Sequence, residues 1–304
     1  MIATKRWMPL LLAGALTVTT FGGQPEPVRR TAELTAGDLT AGALATRYAA
    51  NRDAAAGSEL AGDERQLLDF DPHGDGLVTE VFGDLAGAER IAVVVPGSDT
   101  ELDTFDRPGE KPHASPAGGA RAVYAQARRV TPDARIAVIA WLGYDAPDTL
   151  SVAVANDRRA RAGAGELRRL IAGLRGTGAA VSLLCHSYGS AVCGHAVRRQ
   201  PVAALVVFGS PGLPFGSADD LGDTPVWATR GSADWIRRVP HVRIGALGWS
   251  LGLGADPVSP GFGARVFDSG AAGHSDYLRP GSESLRRITQ IAITGDLVDG
   301  RDVR

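Results

Sequence analysis

The sequence predicts an α/β fold, with a mostly parallel central sheet and helices on both faces. Three observations carry that prediction. Five short, continuous apolar runs recur along the 304 residues, the signature of strands buried on both faces. Helical patterns separate the first four of these runs. Gly/Pro-rich stretches at 209–224 and 245–263 follow later runs, in the positions where open α/β sheets build a pocket rim.

Taken in order, residues 29–60 are Ala-rich and weakly amphipathic, especially 39–50, and predict one or two helices packed on the main body. Apolar segments at 67–70 and 77–82 flank Asp71-Pro72-His73-Gly74-Asp75-Gly76, an arrangement that predicts a hairpin. The parallel-strand candidates are 91–95, 136–140, 180–184, 204–208 and 225–229, with a possible last strand at 264–267. Helices are predicted at 117–130, 156–174 and 190–199, and a closing helix at 282–293. No internal repeat or long linker divides them, so residues 24–304 read as one domain with an N-terminal helical extension.

Composition narrows the function classes. Thirty-two basic and 34 acidic residues leave a formal net charge of -2. The pairs Arg128-Arg129, Arg158-Arg159 and Arg168-Arg169 sit at helical spacing among apolar residues and read as solvated helix faces. No continuous phosphate-binding stripe is present, so no nucleic-acid partner is expected. Lys5-Arg6, an apolar run from Trp7 to Phe21 and the break Gly22-Gly23-Gln24-Pro25 predict an export signal over residues 1–23. A retained membrane anchor is the alternative, and either reading places the protein outside the cell or in its envelope. Cys185 and Cys193 are the two cysteines. Strand and helix geometry predicts them too far apart for a bridge, as two small buried hydrophobes.

The chemistry concentrates at Cys185-His186-Ser187-Tyr188-Gly189. An apolar strand that turns abruptly into a helix at a serine holds its hydroxyl above the sheet, beside helix N–H groups. Ser187 is therefore the candidate nucleophile. It needs a base within hydrogen-bond reach and an acid to orient that base. His274 lies in a Gly-rich loop after the last strand candidate, where a base would be delivered; His241 is its rival. His186 is expected to point away from the site, and His195, on the following helix, to be a packed or solvent-side residue. Asp234, just beyond the 225–229 run, places serine, acid and base in the order Ser187, Asp234, His274. Asp219, Asp220, Asp223 and Asp256 are alternatives for the acid. Val94-Val95-Pro96-Gly97-Ser98 ends an early strand in a tight turn. Its Ser98 N–H and that of Tyr188 are the candidate oxyanion donors.

These pieces together resemble the α/β-hydrolase superfamily. More narrowly they are similar to a lightly characterised actinobacterial α/β-hydrolase family with a His-Ser-Tyr-Gly-Ser nucleophile elbow. The resemblance covers about residues 67–277, through Val94-Val95-Pro96-Gly97, Ala140-Trp141-Leu142-Gly143-Tyr144, His186–Ser190, Gly209-Ser210-Pro211-Gly212 and His274-Ser275-Asp276-Tyr277. It implies the α/β-hydrolase fold, Ser187 as nucleophile, His274 as base and Asp234 as acid. Cys185 departs from the glycine usual at the first elbow position.

The expected activity is cleavage of small-molecule or lipid-like carboxylic esters through an acyl-enzyme, with no cofactor and no metal. Acyl transfer by the same groups, or a non-catalytic envelope-associated binding protein of this fold, are the alternatives. Trp141, Tyr144, Tyr188, Leu213, Phe215 and Trp249 either line an apolar pocket or belong to the core. Asp69, Asp71, Gly74 and Glu80 partly match a calcium loop, but His73 and Gly76 and the strand-like flanks favour a plain Asp/Gly hairpin.

Overall fold

Alternation of side chains along single strands shows how the layers are built. In β4 (Ile136–Leu142), Ala137, Ile139 and Trp141 enter one hydrophobic cluster, and Ile136, Val138, Ala140 and Leu142 the opposite one. Every residue of this strand is buried, so both faces must be covered. The computed structural model describes residues 34–149, 157–239, 244–246, 249–251 and 254–297. The predicted export segment, residues 1–23, lies outside the described residues, as does His241. No helix among the described residues is long and apolar enough to cross a membrane.

The elements run α1 (Ala41–Ala54), β1 (Gln66–Asp71), β2 (Leu77–Phe82), β3 (Arg90–Val95), α2 (Pro116–Val130), β4, α3 (Arg158–Leu174), β5 (Ala180–His186), α4 (Gly189–Val197), β6 (Ala204–Phe208), β7 (Val226–Thr229), β8 (Ile244–Ala246), β9 (Trp249–Leu251), β10 (Arg265–Val266) and α5 (Glu283–Thr294). Among the described residues, one 8-stranded sheet has the order β1-β2-β4-β3-β5-β6-β7-β10. β1 pairs antiparallel with β2, and β2 antiparallel with β4; from β4 to β10 all pairings are parallel. β8 and β9 form a separate antiparallel pair.

Residues of α1, α3 and α4 pack into the cluster on one face, and residues of α2 and α5 into the other. The mostly parallel sheet with helices on both faces is thus present. Helix ends are satisfied as their sequences require. Ser115 caps α2 ahead of Pro116, and Ser282 caps α5, which Gly295 ends in a left-handed conformation. α1 covers the edge strand: Arg47 Nε donates to the Leu68 carbonyl and Asn51 Nδ2 to that of Leu67, each at 2.8 Å. The segment between β1 and β2 is a hairpin turn, with Asp71 Oδ1 accepting from the His73 N–H at 3.0 Å.

Two strands run further than the apolar runs suggest. β5 continues through Cys185 and His186 because these residues pair with Val207 and Phe208 of β6. β4 continues to Leu142, opposite Val78 of β2. The decisive topological feature is a reversal at β3. The chain moves from β3 to β4 on one side, then returns to β5 on the other. Such a switch point leaves a crevice at the carboxyl ends of the two diverging strands. Here those ends are the Pro96–Gly97 turn after β3 and Ser187 after β5.

Candidate active site

Ser187 is one of two non-glycine residues with positive φ among the described residues, at 50°, the other being Asp99 at 57°. The left-handed conformation costs a non-glycine residue on the order of 1–2 kcal/mol, so surrounding structure must impose it. That structure is the close approach of the two loops at the switch point. A Cβ on Gly189 would come within 2.4 Å of the Pro96 carbonyl oxygen, and one on Gly97 within 2.7 Å of Ser187 Cβ. Only glycine at both positions lets the elbow and the β3 turn meet.

At the crevice, three side chains from separate loops form one hydrogen-bonded line. Ser187 Oγ lies 3.0 Å from His274 Nε2. His274 Nδ1 lies 2.9 Å and 3.1 Å from the two carboxylate oxygens of Asp234. The Nδ1–H therefore donates to the carboxylate, and Nε2 is left to accept from the serine hydroxyl. Asp234 is buried and accepts two further bonds, from the Ile236 N–H at 2.9 Å and the Tyr277 hydroxyl at 2.6 Å. Burial by itself would raise this carboxyl, but hydrogen bonds from His274, Tyr277 and the Ile236 N–H outweigh it and hold the group below its ordinary value. Asp234 thus remains an anion against the imidazole.

The sign of this linkage gives a prediction. A carboxyl depressed in the folded state stabilises the fold above its unfolded value, about 4, and that contribution is lost as pH falls through the folded value. Tyr277→Phe removes one of the three bonds. It is expected to destabilise the protein by about 1–3 kcal/mol at pH 7, with the difference from wild type shrinking below about pH 4. Urea unfolding at both pH values measures it; a wholly pH-independent difference would leave Tyr277 only its packing and the bond it accepts from the Gly231 N–H at 2.9 Å.

The alternatives for the acid lie elsewhere. Asp220 caps the N–H groups of Gly216 and Ser217, and Asp256 pairs with Arg230 at 2.9 Å. Asp219 and Asp223 are exposed. Ser98 and Tyr188 both line the cavity that opens at Ser187, in the turn after β3 and at the start of α4.

Two sequence expectations need correction. The cysteines are bridged: Cys185 and Cys193 form a disulfide with Cα atoms 6.6 Å apart. The sharp elbow folds α4 back along β5, so the start of its second turn returns Cys193 to the strand end, within disulfide reach. Closing a loop of 8 residues is worth about 2–3 kcal/mol by chain entropy. The double variant Cys185→Ala, Cys193→Ala is expected to lose about that much in urea unfolding; an unchanged midpoint would show that the bridge adds nothing to equilibrium stability.

His186 is the second correction. Instead of pointing away, its ring lies 4.7 Å from that of His274, and its Nε2–H donates to the His274 backbone carbonyl at 2.7 Å. Burial, followed by the neighbouring His274, pulls its pKa down to about 3, so it stays neutral and keeps this donor. His195 packs edge-on to Phe215, the packed one of its two expected placements.

The residues read as either pocket lining or core divide. Trp141 and Leu213 are core residues, and Tyr144 and Tyr188 are buried with their hydroxyls engaged by backbone. Phe215 packs against the core, and the side chain of Trp249 lies outside the described residues. The cavity, about 780 Å³, is lined by Tyr188 and walled beside Ser187 by Phe208, Pro211, Trp235, Ile236, Val239 and Leu278. Trp235 is 49% exposed and its ring sits 4.8 Å from that of His274. The segment with Arg107 and Lys111 closes another side, tied to the His274 loop by the pair of Lys111 with Asp276 at 3.1 Å. Neither wall stands out as a sequence pattern, because each draws on several loops.

A family model described as Alpha/beta hydrolase matches residues 71–244. The uncharacterized protein Rv2079 of Mycobacterium tuberculosis is 30% identical over 265 residues, 74% of this chain and 39% of that protein. The uncharacterized protein Mb0988c of Mycobacterium bovis is 36% identical over 149 residues, 47% of this chain and 55% of that protein. The chain thus spans between about two fifths and just over half of these relatives' length. Among solved structures, XC6422 from Xanthomonas campestris, described as an α/β serine hydrolase without lid, aligns with TM-score 0.41 at 15% identity, covering 76% of this chain and 93% of that one. Esterase PE8 aligns with TM-score 0.45 at 17% identity, covering 71% and 97%.

Proposed function

Since the chain belongs to the α/β hydrolase family, we propose that it is a serine hydrolase that cleaves carboxylic esters through Ser187, His274 and Asp234. The observation that carries this reading is the continuous line from Ser187 Oγ through His274 to Asp234, at 3.0 Å and 2.9 Å, opening on an apolar-walled cavity.

The chemistry follows from the positions. His274 Nε2 takes the serine proton as Ser187 Oγ attacks the ester carbonyl carbon. Asp234 holds the imidazole with Nδ1 protonated and stabilises the imidazolium that forms. Negative charge develops on the former carbonyl oxygen, for which the N–H groups of Tyr188 and Ser98 are the donors. The tetrahedral intermediate collapses, the C–O bond to the alcohol breaks, and His274 returns the proton to the leaving oxygen. Water, deprotonated by the same imidazole, then attacks the acyl-enzyme and releases the acid.

A cavity of about 780 Å³ suits a small or medium-sized ester. The acyl or alcohol chain would lie against Phe208, Ile236 and Leu278. Export to the cell envelope belongs to this reading. The predicted segment 1–23 and the disulfide Cys185–Cys193, a bond that persists in oxidising compartments, both support it.

The test is incubation of folded, signal-free protein with a fluorophosphonate, beside a panel of nitrophenyl esters from acetate to long-chain acyl. Expected are a single adduct on the peptide containing Ser187 and turnover that falls once the acyl chain outgrows the cavity. Absence of both adduct and turnover on folded protein would favour a non-catalytic binding protein.

A further inference from the structure

The turn that carries Ser98 has a hydroxyl group beside each of its carbonyls. The buried Tyr144 hydroxyl donates to the Pro96 carbonyl at 2.8 Å and lies 3.3 Å from that of Gly97. On the same turn, Thr100 Oγ1 reaches the Gly97 carbonyl at 3.1 Å and the Ser98 carbonyl at 3.4 Å, and Thr104 Oγ1 lies 3.5 Å from the Asp99 carbonyl. The turn is tied down at its far end as well. Asp99, left-handed at φ 57°, donates its N–H to the Pro147 carbonyl at 3.1 Å. Its carboxylate accepts from the Thr149 N–H at 2.8 Å and from the Thr149 hydroxyl. Four polar side chains therefore hold a segment of four residues, in a place where a plain strand-ending turn would leave its carbonyls to solvent.

Peptide geometry gives this clamp a consequence. The Gly97–Ser98 bond is trans, so the Ser98 N–H points opposite to the Gly97 carbonyl. Thr100 holds that carbonyl and Tyr144 holds the Pro96 carbonyl of the peptide before it, so together they fix the N–H on the other side of the plane. Gly97 itself lies against Ser187, since a Cβ there would meet both Cβ and Oγ of the serine. Tyr144 is rigidly placed for this task. It stacks on Trp141 with ring centroids 5.8 Å apart, and Gly163 of α3 leaves room for its Cβ. Burial, helped by Tyr188 and Asp145, raises its phenol well above the ordinary value, so the hydroxyl stays a donor.

We propose that Tyr144 is a positioning residue for the oxyanion-binding N–H of Ser98, acting through the Gly97 and Pro96 carbonyls with Thr100 as its partner on the same turn. The proposal rests on the serine-hydrolase reading above. It adds a role for a residue that touches neither substrate nor Ser187.

The experiment is Tyr144→Phe, which keeps the ring and removes the hydroxyl, with Thr100→Val as the second variant at the same carbonyl. Loss of alignment should lower kcat by about ten- to hundredfold, less than the about 10²–10³-fold for losing an oxyanion donor outright, with KM within about twofold. A structural defect could also lower kcat, so each variant is assayed on an ester and on its thionoester. Sulfur accepts hydrogen bonds more weakly than oxygen, and the thionoester gains less from a well-aimed N–H. The ratio of kcat/KM for ester to thionoester should therefore fall in both variants. A lowered kcat with that ratio unchanged overturns the proposal, and so does unchanged kcat.

A readout independent of turnover separates this idea from the function itself. In ¹⁵N-labelled wild-type protein and in each variant, the Ser98 amide should shift and exchange faster once the hydroxyl is gone. An unmoved Ser98 resonance in a folded variant overturns the clamp. Wild type that turns over no ester, with a Ser98 amide that still responds to Tyr144→Phe, overturns the hydrolase reading and leaves the clamp standing. If Tyr144→Phe does not fold, Thr100→Val carries both readouts.

Discussion

Ser187→Ala is expected to lower kcat for nitrophenyl esters by about 10⁴- to 10⁶-fold and to abolish labelling by a fluorophosphonate. The size of the effect follows from the geometry, because removing Oγ removes the only atom that His274 Nε2 faces at 3.0 Å within this line of groups. Substrate binding should survive, since the cavity walls are untouched. Ser187→Gly extends the prediction to stability. At φ 50° glycine escapes the left-handed penalty that alanine retains, so this variant should be equally inactive yet more stable than Ser187→Ala by about 1 kcal/mol. Steady-state kinetics and urea unfolding of both variants give the comparison. Residual turnover of Ser187→Ala within about tenfold of wild type would move the nucleophile elsewhere.

Asp234→Asn is expected to lower kcat by about 10⁴-fold while leaving KM close to wild type. A neutral amide cannot stabilise the imidazolium. Its NH₂, if turned toward His274, would also force the tautomer with Nε2 protonated, which cannot accept from Ser187. The same change should cost about 1–3 kcal/mol of stability. The carboxylate accepts from Ile236 on one oxygen and from Tyr277 on the other, and an amide has one oxygen for the two donors. Kinetics on the ester panel and urea unfolding measure both effects. Activity within about tenfold of wild type would return the role of acid to another carboxylate.

Much of the fold was legible in the sequence because its strands are buried on both faces. A strand of that kind must be largely apolar, and β3, β4, β5 and β6 announce themselves as short apolar runs, broken inside only by the small Ser182 of β5. Strand ends were less legible. His186 pairs with Phe208 as a strand residue, although a histidine ends the apolar pattern. The elbow could be read because its requirements are local: a serine between a strand and a helix, with a glycine two positions on where Pro96 presses against it. His186 and Tyr144 could not be read so. Their partners, the His274 carbonyl and the Pro96–Gly97 turn, lie 88 and 48 or 47 residues away.

By itself the sequence determined the elements of the main sheet and its helices, though not the β8–β9 pair, together with their α/β alternation, the elbow at Ser187, and the chain order in which serine, aspartate and histidine would have to meet. The tertiary structure decided which residues meet. It brought His274 to Ser187 across 87 positions and Asp234 to His274 across 40, and it joined Cys185 to Cys193 against the sequence expectation. The physical reason is one of range. Burial pattern, capping and turn chemistry act between neighbours and leave their mark in neighbouring residues. The meeting of loops is set by strand order, and here by β5 returning to pair beside β3, which no local pattern records.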